Sequence, residues 1–149
     1  DQPAVNVEWK TAYDYCASRI DLNGRPMRLP TEAEQELMLR DPLDEPVTHE
    51  TANYASEETK NVGSYPQDGW GLYDVHGNVW EWGADWYGDY SSNFQQDPKG
   101  PKTGDYRVLR GGSWSNFKDY LRSSYRRYSY PDYGSLYIGF RCVSSPRTP

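Results

Sequence analysis

Aliphatic side chains are scarce in this chain: hydrophobic residues of every kind make up 36% of its 149 positions, and the mean hydropathy is -1.00. A core built from long Val, Ile and Leu strands is therefore excluded. No apolar run approaches the ~20 residues that a membrane-spanning helix needs, and no signal-peptide pattern stands at Asp1. Cysteine is nearly absent too. Cys16 and Cys142 show no CxxC or Cys-His spacing, which argues against a zinc site. Two readings remain for them: a pair of buried thiols, or a disulfide whose long closed loop would stabilise by about 5 kcal/mol in the chain-entropy model, suited to an oxidising compartment.

What the chain has instead is aromatic. Phe, Trp and Tyr reach 15%, with six tryptophans and 14 tyrosines, so the apolar volume must come from rings and the fold should be loop-rich. The length suits one domain over 1–149. A net charge of -6 conceals an asymmetry, because residues 1–100 carry 7 basic and 19 acidic side chains whereas 101–149 carry 9 and 3.

The basic part contains the most unusual stretch. From Ser115 to Tyr137, Tyr, Ser, Asn and Arg are interleaved with no helical or strand period. Phe117, Tyr120, Tyr125, Tyr128, Tyr130, Tyr133 and Tyr137 are expected to face outward. Tyr supplies rigid amphipathic contact area and Ser and Asn supply adaptable hydrogen bonds, the mixture of a paratope. With half of each ring's ~150–250 Å² available, the patch offers roughly 500–900 Å², near the ~800 Å² per partner of a standard interface. Interleaved Arg and Tyr also suit single-stranded nucleic acid, but the acidic remainder would repel a polyanion, so no nucleic acid partner is expected.

Taken in order, Val5 to Ile20 has apolar residues mostly three and four apart, which predicts a helix. Thr31 and Glu34 form a capping box for a second helix over about Glu32 to Leu39, stopped by Asp41-Pro42. Asp41 to Pro66 and Gly88 to Asp105 read as connectors. Trp80 and Trp82 alternate around Glu81, as in a strand with both indoles inward. Tyr106 to Leu109 predicts a strand, Gly111-Gly112 a bend and Trp114 a return to the core. Tyr137 to Val143 predicts a closing strand with Ile138, Phe140 and Cys142 on one side, and Ser144 to Pro149 a loose tail.

Asp74, Gly77, Val79 and Glu81 make a compact oxygen-rich loop of the kind that hard cations use. On spacing alone, an Asx-turn at Asp74 and an arginine or amide partner for Glu81 explain the same residues. His76 reads as a turn residue.

The motifs VNVEWKTAYDYC, RLPTEAE, NVGSYPQDGWGLYDVHGNVWEW, DWY, RVLRGGSW and GFRC, in this order along nearly the whole chain, resemble the formylglycine-generating enzyme (FGE-sulfatase) family. The resemblance implies an α+β, C-type lectin-like fold, with two short helices on small twisted antiparallel sheets. It carries the family's oxidase activity poorly. Members that oxidise a sulfatase cysteine hold copper with two cysteines, and the matching positions here are Asn116 and Leu121, which cannot ligate Cu(I) as thiolates do. No copper is expected. The sulfoxide-synthase branch needs a histidine cluster, against His49 and His76 alone.

The variable proteins of diversity-generating retroelements resemble the chain better. Adenine-directed mutagenesis of Asn codons yields the residue types found at Ser115, Asn116, Phe117, Asp119, Tyr120, Tyr125 and Arg127, and at Ser129, Tyr130, Tyr133, Ser135, Leu136 and Tyr137. Leu121, Arg122, Ser123, Pro131, Asp132, Ile138 and Gly139 look like fixed scaffold. The resemblance further implies structural Ca²⁺ at Asp74, Gly77, Val79 and Glu81, and a Cys16–Cys142 disulfide. The expectation is a non-catalytic ligand-binding domain, variable at about 115–137, that binds a protein or cell-surface target from an extracellular, cell-surface or virion-associated place. The alternative is a copper-dependent formylglycine-generating-type oxidase.

Overall fold

In the computed structural model, which describes residues 1–40 and 46–144, α1 spans Trp9–Ala17. It is shorter than the expected Val5 to Ile20. Asn6 lies at φ 57° and Glu8 is extended, so no helix forms before Trp9, and Ile20 makes a β-bridge to Pro26 instead. The helix buries Ala12 and Cys16. After β1 (Met27–Arg28) comes α2, Glu32–Met38, with both arms of the capping box formed between Thr31 and Glu34. The Asp41-Pro42 stop lies outside the described residues.

The described part of 46–79 holds no named helix or strand. The Trp80-Trp82 strand is longer than expected: β2 spans Trp80–Trp86. β3 is Arg107–Arg110, β4 Arg127–Ser129, β5 Ile138–Gly139 and β6 Val143–Ser144. Four strands form a sheet in the order β4-β3-β2-β5, and β1 pairs with β6 in a second. The larger sheet is mixed, because β5 runs parallel to β2 while the other pairs are antiparallel.

The single closing strand expected over Tyr137 to Val143 is two short ones. After Gly139 the chain leaves β2: Arg141 turns to Glu81, Cys142 is drawn to Cys16, and Val143 crosses to β1. Gly139 has no room for a side chain, since a Cβ there would lie 2.5 Å from the Ala4 carbonyl oxygen. Ser144 belongs to β6, and the rest of the expected tail lies outside the described residues.

Indoles fill the core as the composition requires. Trp80, Trp82, Leu29, Leu109 and Ile138 pack with Ala12 and Cys16. A buried indole must still satisfy its N–H, and Trp82 Nε1 donates to the Val7 carbonyl while Trp9 Nε1 donates to Gly83, both at 2.8 Å. These bonds stitch the N-terminal segment to β2. The Cys16–Cys142 disulfide, with Cα atoms 5.5 Å apart, fastens α1 to the end of the chain across 126 residues.

Replacing both cysteines by serine should lower stability by about 2–5 kcal/mol. Thermal melts of the oxidised protein and the Cys16→Ser/Cys142→Ser variant check this, and coincident midpoints would contradict it.

Candidate functional site

The Ser115 to Tyr137 segment is held from beneath by one side chain of β3. Arg110 is 1% exposed. Its guanidinium donates to the carbonyls of Ser123 at 2.5 Å and Tyr125 at 3.0 Å, and it meets Glu36 at 3.1 Å and Glu32 at 3.5 Å on α2. Arg126 doubles the link by donating to both oxygens of Glu32, at 2.6 and 2.8 Å. A buried guanidinium is costly unless its donors are taken. The segment's own backbone supplies two of the acceptors of Arg110, while its Nε has no partner among the described residues.

Other pins fix the ends. Trp9 N–H donates to Pro131 O and Asn6 N–H to Ser135 O, each at 2.9 Å. Gly111 and Gly112 take the φ 95° and 81° of the expected bend, and a Cβ on Gly112 would sit 2.7 Å from Leu121 Cδ1. Trp114 is only half-buried and stacks on Tyr137 at 5.0 Å, so it supports the face rather than the core.

On this base the candidate positions divide by exposure. Of the 13 candidate positions, Ser115, Phe117, Asp119, Arg127, Tyr130, Tyr133, Leu136 and Tyr137 are exposed, the other five are half-buried, and none is buried. Phe117 is 74% exposed, and Tyr128, Tyr130, Tyr133 and Tyr137 lie between 41% and 56%. The expected scaffold residues Leu121, Ile138 and Gly139 are buried, while Arg122 and Asp132 are exposed.

Two rings do not face outward as expected. Tyr120 and Tyr125 pack on the core and on each other at 4.8 Å. Asn116 is also partly structural, since its Oδ1 accepts from Ser113 N–H and Oγ–H at 3.0 and 2.8 Å. The aperiodic window, moreover, contains a 3₁₀ turn at Lys118–Leu121 and β4.

Two framework tyrosines join the face, and the sequence reading missed them. Tyr87 and Tyr106 are paired across β2 and β3, with Tyr87 N–H donating to Tyr106 O. Their rings continue a ladder, Tyr87 on Tyr128 at 4.5 Å, Tyr128 on Tyr106 at 4.7 Å and Tyr106 on Tyr130 at 4.6 Å. The Tyr106 hydroxyl donates to that of Tyr130 at 3.1 Å, and this contact raises the Tyr106 phenol's pKa. Their positions at the ends of the two strands were the available signal.

Part of the basic charge of this half is consumed internally. Arg107 lies between the Trp9 and Trp86 indoles, 3.5 Å from each centroid, where burial pulls its pKa down to about 10. Arg110 and Arg126 hold α2, and Arg141 holds Glu81 at 2.6 and 2.7 Å.

That last pair bears on the expected cation site. Arg141 takes both Glu81 oxygens and also donates to the Asp74 carbonyl at 3.1 Å. Asp74 Oδ2 accepts from Gly63 N–H at 2.6 Å, whereas its Oδ1 is buried with no partner among the described residues. Gly77 and Val79 are buried beside them in sequence. A hard cation takes six to eight oxygens; the orphaned Asp74 oxygen would be one of them, and Glu81 would have to be shared with Arg141 or freed from it. His76 is a turn residue whose Nδ1 meets the Leu121 carbonyl at 2.8 Å.

At the positions matching the copper ligands, Asn116 is engaged by Ser113 and Leu121 is 1% exposed against Ala52 and Tyr54. Neither side chain is a Cu(I) ligand.

Truncating the face should leave the frame intact. Phe117→Ser and Tyr133→Ser should each change stability by less than about 0.5 kcal/mol, whereas Leu121→Ala should cost about 2–5 kcal/mol. Denaturant unfolding checks the contrast, and equal losses would contradict it.

Comparison with known proteins agrees with this architecture. Residues 1–146 match the model of the sulfatase-modifying factor enzyme 1-like domain. The serine/threonine-protein kinase pkn1 of Chlamydia caviae is 42% identical over 95% of this chain and 24% of its own length. The formylglycine-generating enzyme of Thermomonospora curvata is 33% identical over 98% of this chain and 56% of its own. The chain thus spans about a quarter of one relative and about half of the other. Among solved structures, Treponema denticola variable protein 1 superposes with a TM-score of 0.86 at 29% identity, covering 97% of this chain and 72% of that one. The chain belongs to the sulfatase-modifying factor enzyme 1-like family, with the C-type lectin-like fold that it shares with retroelement variable proteins.

Proposed function

We propose that this domain is a non-catalytic display module, presenting diversified side chains between Ser115 and Tyr137 to a protein or cell-surface target. The observation that carries the reading is the split within one segment. Its backbone carbonyls, its buried Leu121 and the buried Ile138 just after it are fixed, while eight of its candidate side chains stand in solvent. Such a surface can change residue by residue without disturbing the frame. The likeness to Treponema denticola variable protein 1 supports it. The disulfide suits an extracellular or surface setting, and among the described residues no helix is long and apolar enough to cross a membrane.

The oxidase reading rests on the identity with the Thermomonospora curvata enzyme. Against it stand Asn116 and Leu121 where copper thiolates would be needed. Sequencing several sibling copies of the encoding DNA tests the display reading. Substitutions should cluster at the exposed positions of 115–137 and spare Leu121 and Ile138. Changes spread evenly over the chain, or turnover of a cysteine peptide by the copper-loaded protein, would overturn it.

We further propose that Asp74 and Glu81 would hold Ca²⁺, with Gly77 and Val79 offering backbone oxygens. The partnerless Asp74 Oδ1 supports this. A ligand at 100 times its Kd stabilises by about 2.7 kcal/mol, so excess Ca²⁺ should raise the melting midpoint by several degrees. Asp74→Asn should shrink that rise, and identical midpoints in calcium and in chelator would remove the ion.

A further inference from the structure

A groove of about 700 Å³ opens between α2 and the connector after β2, bordered by Arg126 of the Ser115–Tyr137 segment but by none of its 13 candidate positions. The volume falls within the ~300–1,000 Å³ of small-molecule sites. Its walls are mostly apolar, with Leu37, Trp86, Tyr90 and Pro101 among them. Four carboxylates also line it, Glu32, Glu36, Asp85 and Asp89, and they are not alike.

Glu32 and Glu36 are already neutralised. Arg126 holds both oxygens of Glu32, and Glu36 is held by Arg40 at 2.5 Å and by Arg110 at 3.1 Å. Asp85 and Asp89 have no ion pair among the described residues. Asp85 is only 5% exposed, which makes its lack of a cation costly. Its Oδ2 accepts one hydrogen bond, from Glu32 N–H at 3.2 Å, and its Oδ1 accepts none among the described residues. The nearby Arg107 is engaged elsewhere, between two indoles and on the Ala84 carbonyl at 2.7 Å. The groove therefore joins an aromatic wall to a carboxylate oxygen that the protein leaves unmatched.

We propose that this groove binds a small organic cation with a flat apolar body, its ammonium held by Asp85 and Asp89 and its body lying against Trp86 and Tyr90. Both halves of such a ligand answer something present. The positive end meets two carboxylates that have no ion pair among the described residues, and the flat end meets Trp86 and Tyr90, each of which carries a guanidinium on one face. A single basic side chain from a protein partner would leave most of the volume empty, so the occupant is a free small molecule. The site is independent of the display reading, and either can fail without the other.

The groove also has a pH signature. Burial, and then the charges of Glu32 and Glu34 on α2, push the Asp85 carboxyl up to about 6, while the Glu32 N–H and Arg107 of β3 pull the other way. Only the ionised form attracts a cation. Binding should therefore tighten as pH rises through about 6, and by linkage it should be about tenfold weaker at pH 5 than at pH 7.

Tyramine, an aryl-alkylammonium, serves as the probe, with neutral N-acetyltyramine and anionic 3-(4-hydroxyphenyl)propionate as controls. The readout is the Trp86 indole N–H in NMR titrations. Tyramine should shift it saturably and bind at least tenfold more tightly than either control. Asp89→Asn, on an exposed residue that leaves the fold undisturbed, should weaken binding at least threefold. Asp85→Asn, checked by its melting curve, should weaken it further and remove the pH dependence. Equal shifts from tyramine and its acetylated form, an unmoved Trp86 signal, or tighter binding of a short lysine peptide would each overturn the proposal.

Discussion

One buried guanidinium decides how this domain is put together. Arg110 lies almost wholly out of water, and most of its hydrogen bonds go to groups that could not otherwise be held together: two carbonyls of an irregular segment and a carboxylate on a helix far away in sequence. Removing one partner of a buried charge costs about 3–5 kcal/mol, so the segment cannot drift without exposing that cost. A stretch with little regular structure is thereby given a defined path. Arg126 repeats the device one step further out, tying the same segment to Glu32 through both carboxylate oxygens.

Because the backbone carries the fastening, the side chains are released from it. Loops hold binding residues when a rigid scaffold positions them, and here the scaffold is aromatic. Trp80 and Trp82 fill the centre, and their strand neighbours Tyr87 and Tyr106 extend into the face itself. The exposed Tyr128, Tyr130 and Tyr137 accordingly rest on other rings. A tyrosine stacked in this way loses less conformational freedom when a partner arrives than a free one would, as the proposed display role requires.

Family membership does not by itself fix function, and two positions bear on the difference. The fold is shared with enzymes and with variable proteins alike, and function must be argued from the site rather than from the fold. Asn116 is used to close the turn at Ser113, and Leu121 packs against Gly112, Ala52 and Tyr54. Where copper chemistry would need two thiolates, this chain has spent both positions on holding its loop.

The sequence alone determined whatever depends on neighbouring residues or on residue type. The Thr31–Glu34 capping box, the inward indoles of β2, the Gly111-Gly112 bend and the outward set between Ser115 and Tyr137 all rest on local stereochemistry or composition. Local pattern could not show that Tyr120 and Tyr125 turn inward, because a tyrosine reads alike on either side of a surface. Nor could it show that the last strand divides to reach two sheets, that Glu81 is taken by Arg141, or that Asp85 is left facing a groove. Those outcomes depend on which distant groups arrive as neighbours, and charge pairing and burial are settled only when the chain has closed on itself.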